Sequence, residues 1–295
     1  MRGSVCVFGY VTREWEIYGG GIVREIVAGG AYFVSHALRS LGMDVTAVVR
    51  LAQTESYLLA DLKARGINVV PVWSSRTMMS RLIYSPSGER RIEVVSLSDP
   101  FTVEDLDRCL YADAIYIGPQ TERDFDLEFI ETASHRAPVY LDVQGFTRRV
   151  MGTEIVYVDW EWKRAAAPYI EALKVDDREA RLLTGESEPM RALRSLHDMG
   201  FREVVMTTDS GVYVSMDGDV RYAPYKIARV VGRTGRGDTA MAAYIASKIM
   251  GLDLERRAIL VAAAVSMKLM SMGPLTTTLN DVAKFVEQSY GVHLA

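Results

Sequence analysis

Residues 232–239 read Gly-Arg-Thr-Gly-Arg-Gly-Asp-Thr and run directly into Ala240-Met241-Ala242-Ala243-Tyr244-Ile245-Ala246-Ser247, a stretch of helix formers without Gly or Pro. A glycine-rich turn opening a helix has a defined chemistry. Gly235 and Gly237 carry no Cβ, so backbone N–H groups can approach a ligand, and the positive end of the helix dipole joins them to make a seat for phosphate. Asp238 falls in the first turn, where the helix end is expected to keep its carboxylate ionised and able to take a proton from a hydroxyl held against it. An anion seat beside a base is the equipment for phosphorylating a hydroxyl. The same residues also suit a plain capped loop, since Asp is a favoured N-cap and Gly is common in turns, so the rest of the chain must decide. A Walker loop (Gly, four residues, Gly-Lys-Ser/Thr) does not occur, and a dinucleotide fingerprint would come early in a βαβ unit with different spacing.

Positioning such a site requires a scaffold, and 295 residues at 49% hydrophobic and 24% charged suffice for one large α/β core. The net charge of -4 and the lack of a basic stripe argue against nucleic-acid binding. Cys6 and Cys109 are far apart and lack metal-ligand spacing, so neither a disulfide framework nor a zinc site is expected, and the cytoplasm is the expected compartment. The apolar run from Ala258 to Met272 is broken by Ser266 and Lys268, so no membrane segment is expected.

Apolar strand-like runs at Ser4 to Phe8, Val45 to Val49, Val69 to Val72, Ala114 to Ile117, Val139 to Asp142, Ala172 to Val175 and Val204 to Met206 alternate with helical patterns at Tyr32 to Leu41, Tyr57 to Ala64, Asp126 to Ala133 and Arg178 to Leu183. Repeated βα units predict a parallel sheet covered by helices on both faces, with ligands beyond the carboxyl ends of the strands. Gly9, Gly118, Asp142 and Asp176 stand at or just past those ends. Residues 13–27 and 77–95 alternate polar and apolar residues and predict a small β-hairpin lid, with a turn at Ser85-Pro86-Ser87-Gly88. A further hairpin is predicted from Gly211 to Met216 and Asp219 to Ala223.

With these elements in order, the whole chain, 1–295, resembles a single ribokinase-like (PfkB-type) kinase domain. Gly29-Gly30 before the first long helix resembles that family's substrate-binding glycine pair. Asp176-Asp177-Arg178-Glu179 resembles its Asn-x-x-Glu, and Gly235-Arg236-Gly237-Asp238 its Gly-Ala-Gly-Asp. Gly9-Tyr10-Val11-Thr12, Leu141 to Arg148 and Thr234 to Thr239 look most like the branch containing myo-inositol kinases. The resemblance implies a cytoplasmic enzyme that moves a phosphoryl group from ATP, with Mg2+, to a sugar or cyclic polyol. Asp238 would be the base, and Gly235, Arg236 and Gly237 the anion hole. Glu14, Gly29, Gly30, Gln144 and Arg148 would form the substrate shell, Thr207, Asp209 and Gly211 would contact nucleotide, and Asp176 and Glu179 would hold the metal through water. It further implies a lid that both closes over bound substrate and forms a homodimer with the equivalent hairpin of a second subunit, with Met78, Leu82, Ile83, Ile92 and Val94 as apolar contacts and Arg81, Arg90 and Arg91 as a polar edge.

The chain departs from that pattern at several positions. Glu14 stands in place of a substrate-binding Asp, and Asp176 in place of Asn. Met206 to Gly211 keeps only the last glycine of the nucleotide loop, and Gly232 replaces an Asp near the family's monovalent-cation loop, leaving cation dependence open. Lys174 reads as a surface residue. A nucleoside kinase, with Tyr10, Tyr32 and Phe33 stacking on a base, and a non-catalytic polyol-binding regulatory protein are the competing expectations.

Overall fold

The computed structural model describes residues 3–19, 21–85 and 90–294. In chain order its strands are β1 (Ser4–Tyr10), β2 (Thr12–Tyr18), β3 (Ile22–Ala28), β4 (Asp44–Ala52), β5 (Asn68–Ser74), β6 (Met79–Tyr84), β7 (Arg90–Ser96), β8 (Ala114–Gly118), β9 (Val139–Asp142), β10 (Arg148–Met151), β11 (Glu154–Tyr157), β12 (Ala172–Asp176), β13 (Glu203–Thr207), β14 (Gly211–Met216) and β15 (Asp219–Pro224). The α-helices are α1 (Gly30–Ser40), α2 (Ala60–Ala64), α3 (Leu127–Ser134), α4 (Lys163–Ala166), α5 (Asp177–Thr184), α6 (Pro189–Asp198), α7 (Arg236–Ile249), α8 (Leu254–Leu269) and α9 (Leu279–Tyr290).

Nine strands form the main sheet in the order β15-β14-β13-β12-β9-β8-β1-β4-β5. Pairings from β13 to β5 are parallel, and β14 and β15 join antiparallel at one edge as the predicted hairpin. Its inner strands are nearly all apolar because both faces are covered. On one face α1, α7, α8 and α9 pack against Val5, Val7, Val49 and Val205; on the other α3, α5 and α6 pack against Cys6, Phe8, Ile117 and Leu141. Helix α7 is buried from Thr239 to Ser247, as expected of a helix without a polar face. The parallel α/β architecture expected from the sequence is present, and the carboxyl ends of β1, β8, β9, β12 and β13 share one edge.

The second sheet is larger than the predicted hairpin. It has six strands in the order β10-β11-β7-β6-β2-β3. The added β10–β11 pair is made of two four-residue strands, too short for their alternation to stand out, and each of their side chains is partly or fully exposed. Side chains alternate across this sheet: Glu14, Glu16, Ser80, Leu82, Ile92 and Val94 line a cleft, whereas Arg13, Trp15, Arg81 and Glu93 lie on the opposite face. Met78, Leu82, Ile92 and Val94, expected both to close over substrate and to meet a second subunit, line the cleft. The turn expected at Pro86 to Gly88 and the side chain of Arg90 lie outside the described residues.

Two further differences concern pairing at a distance. Cys6 in β1 and Cys109 form a disulfide with Cα atoms 6.2 Å apart, contrary to the expectation that they stay unpaired. Sequence separation hid this contact, because β1 pairs directly with β8, the strand that soon follows Cys109. Helix α6, absent from the sequence reading, begins with Pro189 behind a Glu188 cap and buries Ala192, Leu193 and Leu196.

Candidate active site

The turn before α7 is built around its glycines. Gly235 caps the helix at φ 88°, a left-handed conformation, and a Cβ there would lie 2.4 Å from the Phe33 ring. Thr239 donates its hydroxyl back to the Gly235 carbonyl at 2.8 Å, closing the first turn. A Cβ on Gly237 would stand 2.7 Å from Lys174 Nζ, so glycine lets this ammonium lie directly beneath the turn. Asp238 follows at the floor of a cleft of about 660 Å³ that lies between the strand ends and the six-stranded sheet.

Lys174, read from sequence as a surface residue, is buried here in the middle of β12. It pairs with Asp142 and Glu179, each at 3.3 Å. Burial works against its charge, but Asp142, Glu179, Asp176 and Asp238 together outweigh it and raise its pKa. Four carboxylates around one ammonium cannot all ionise cheaply. Asp238 is pushed up to about 7, first by burial and then by Asp142, with Lys174 opposing. Glu179 is likewise pushed up to about 7 by burial, with Lys174 opposing and Asp176 and Asp142 adding to the rise. The helix end was expected to hold Asp238 in its ordinary ionised range; enclosure by protein on the cleft floor wins instead. The result is a carboxyl group that changes protonation near neutrality, as suits a base.

Asp176 and Glu179 form a reciprocal cap on α5: the Glu179 amide donates to the Asp176 carboxylate and the Asp176 amide to the Glu179 carboxylate, each at 2.7 Å. Asp176 also lines the cleft. No group of three or more His, Cys, Asp or Glu side chains is arranged for a metal among the described residues. Mg2+ is ordinarily held by one or two carboxylates together with substrate phosphates and water. Asp176 would be one such carboxylate for an ion held together with substrate phosphates, and the described residues do not fit an all-protein cage.

Gly29, Gly30, Glu14, Gln144 and Arg148 are brought together along the acceptor side of the cleft. Gly29 is at φ 100°, and a Cβ would strike the Tyr10 carbonyl at 2.2 Å. A Cβ on Gly30 would sit 3.3 Å from Asp238 Oδ1, 3.4 Å from the Tyr116 hydroxyl and 3.5 Å from Gln120 Nε2. The missing side chain therefore leaves a space beside Asp238, flanked by two more polar groups that sequence reasoning did not single out. The Tyr116 hydroxyl is buried and has no hydrogen-bond partner among the described residues.

On the opposite side the cleft is lined by Thr207, Asp209, residues 230–237 and Lys268. The Thr207 hydroxyl is buried and unpartnered among the described residues, and Asp209 holds Arg236 at 3.0 Å. Gly211 does not reach the cleft; its contact is with the Ala223 carbonyl, 2.5 Å from where a Cβ would be. Of the aromatic residues considered for stacking, Tyr10 bonds to the Asp99 carbonyl and Tyr32 to Asp61, whereas Phe33 packs under Gly235 and lines the cleft.

A glycine-rich helix start and a polar cleft with a carboxyl group on its floor, at the carboxyl edge of this sheet, accord with a small-molecule kinase of ribokinase-like fold. The chain belongs to the pfkB family of carbohydrate kinases, whose sequence pattern matches residues 4–279. No curated protein matches it. Among solved structures, it is similar to a pyrophosphate-dependent kinase of the ribokinase family complexed with a pyrophosphate analog and myo-inositol, at 28% identity and TM-score 0.87, covering 94% of this chain and 98% of the other. A second similar structure concerns conversion of a pyrophosphate-dependent myo-inositol-1 kinase into a myo-inositol-3 kinase by two leucine-introducing substitutions, at 27% identity and TM-score 0.87, covering 96% and 98%. Arabidopsis thaliana ribokinase with ribose and ATP shares the fold at 19% identity and TM-score 0.79, covering 97% and 99%. Among the described residues no helix is long and apolar enough to cross a membrane.

Proposed function

We propose that this kinase transfers a phosphoryl group from pyrophosphate to a hydroxyl of a cyclic polyol of the myo-inositol type. The observation that carries the reading is the space left by Gly30 beside Asp238 Oδ1, at the start of α7. An acceptor hydroxyl placed there gives its proton to Asp238 while its oxygen bonds to phosphorus; the bridging P–O bond breaks and orthophosphate leaves. Such transfer is largely dissociative, so alignment and charge neutralisation outweigh the base, whose own contribution is ~10²- to 10⁴-fold. The amides at the start of α7 face the transferred group. Magnesium, when bound, neutralises charge on the donor oxygens. Closure of the six-stranded sheet over the acceptor excludes water as a competing nucleophile.

Pyrophosphate is favoured over the expected ATP by the two relatives that use it and by the cationic donor side, where Arg233, Arg236 and Lys268 line the cleft. One observation favours ATP: Val230, Val231 and Met272 form an exposed apolar rim on that side, suited to a nucleobase. On the acceptor side, the register partners Leu82 and Ile92 supply an apolar wall. Introduced leucines redirect a related kinase from the 1- to the 3-position, and we assign the choice of hydroxyl in this chain to the same kind of wall.

The test is incubation of the protein and Mg2+ with myo-inositol, other cyclic polyols, sugars and nucleosides, using either pyrophosphate or ATP, with products read by phosphorus NMR. Phosphorylated inositol from pyrophosphate supports the reading. Turnover confined to ATP moves the donor to the apolar rim, and turnover confined to nucleosides removes the polyol assignment.

A further inference from the structure

Lys268 is the last lysine of α8 and is 1% exposed, yet it lines the cleft. Its ammonium makes one hydrogen bond, to the Gly232 carbonyl at 3.2 Å, and no carboxylate lies within ion-pair distance among the described residues. Burial lowers its pKa to about 8, with Asp238 opposing the fall. Two other cations lining the cleft are already engaged: Lys174 is held by Asp142 and Glu179, and Arg236 by Asp209.

A purely structural role leaves this charge unexplained. The 231–232 segment is already strapped to α8, because the Val231 and Gly232 amides donate to the Leu269 carbonyl at 2.7 and 3.3 Å. A neutral donor would serve a single remaining carbonyl without the desolvation cost of a buried charge. The ammonium has three N–H groups and uses one. Glycine at position 232 keeps the approach open, since a Cβ there would lie 3.5 Å from Nζ and 2.8 Å from the Ser271 carbonyl.

We propose that Lys268 binds the phosphate donor, giving its unused N–H groups to oxygens of a di- or triphosphate on the α8 side of the Asp238 turn. The inference rests on the donor side assigned above and adds a residue outside the glycine-rich turn. A cation there neutralises the donor and is itself paired only when donor is present, so the empty site is less stable than the filled one.

The experiment compares wild type with Lys268→Met and Lys268→Arg. Calorimetry with pyrophosphate and, separately, ATP measures donor binding without turnover; myo-inositol binding, kcat, both KM values and melting temperature are measured alongside. Lys268→Met is expected to weaken the used donor by at least about tenfold, the usual scale for losing a charge-assisted hydrogen bond. Acceptor affinity should stay within about twofold. Without donor the methionine variant should melt no lower than wild type, since a buried unpaired charge has been removed. Lys268→Arg should recover part of the donor affinity. Unchanged donor affinity, or a lower melting temperature with equal loss of both ligands, overturns the proposal in favour of a structural strap. A protein that binds pyrophosphate through Lys268 but phosphorylates no polyol keeps this inference while the acceptor reading fails. Binding of neither donor defeats both.

Discussion

Lys174 shows how much of this site depends on contacts that a sequence does not display. Its partners Asp142 and Glu179 are 32 and 5 residues away, and its place under the turn depends on Gly237 lacking a side chain. Lys174→Met should strand two buried carboxylates and cost about 3–5 kcal/mol in denaturant unfolding, the scale for breaking a buried pair. Glu14 makes a complementary case. It lines the acceptor side from β2, and Glu14→Gln should weaken polyol binding by roughly tenfold while leaving donor binding unchanged in calorimetry. Asp238, Gly29, Gly30 and Gly235 were legible because turn glycines and a helix-start carboxylate act locally, in a fixed order. Lys174 and Lys268 were not, because a lysine's burial is decided by distant segments. The protonation of Asp238 was misjudged for the same reason: the helix end is local, whereas its enclosure is not.

At the scale of elements, hydrophobic alternation located the main strands and long helices within a few residues, since the inner strands are apolar on both faces. It missed β10 and β11, whose four-residue strands leave most of their side chains partly or fully exposed. It recognised the polar alternation of residues 77–95 and expected the apolar side chains both to close over substrate and to meet a second subunit; Leu82, Ile92 and Val94 face the cleft. That placement yields a prediction for the lid. Replacing Leu82 with Asn and Ile92 with Ser removes the apolar wall against the acceptor, so the phosphorylated position should change or become mixed, with donor affinity unaltered. Proton and phosphorus NMR of the product would read this directly. An unchanged product with unchanged acceptor affinity would place the choice of hydroxyl elsewhere in the pocket.

For the whole molecule, the Cys6–Cys109 disulfide joins points separated by 103 residues and ties β1 to the segment entering β8. Cys6→Ser should destabilise the fold by about 2–5 kcal/mol, and reducing the wild type should lower its melting temperature to a similar extent. Neither change should alter the KM for acceptor, because the bridge lies in the core on the α3 face. The central claim is that Asp238, on the floor of the cleft, is the base for phosphoryl transfer. Lifting this group from 3.8 to about 7 on folding means that its contribution to stability is present below 3.8 and lost as pH rises through 7. Asp238→Asn should therefore remain folded at pH 8, and loss of turnover there can be assigned to chemistry. The most direct measurement is kcat/KM for the acceptor from pH 5 to 9 in wild type and Asp238→Asn. A wild-type profile that falls about tenfold per pH unit below about 7, with the variant lower by at least ~10²-fold on the plateau, is the predicted result. A variant with near-normal turnover, or a wild-type profile flat down to pH 5, would contradict it.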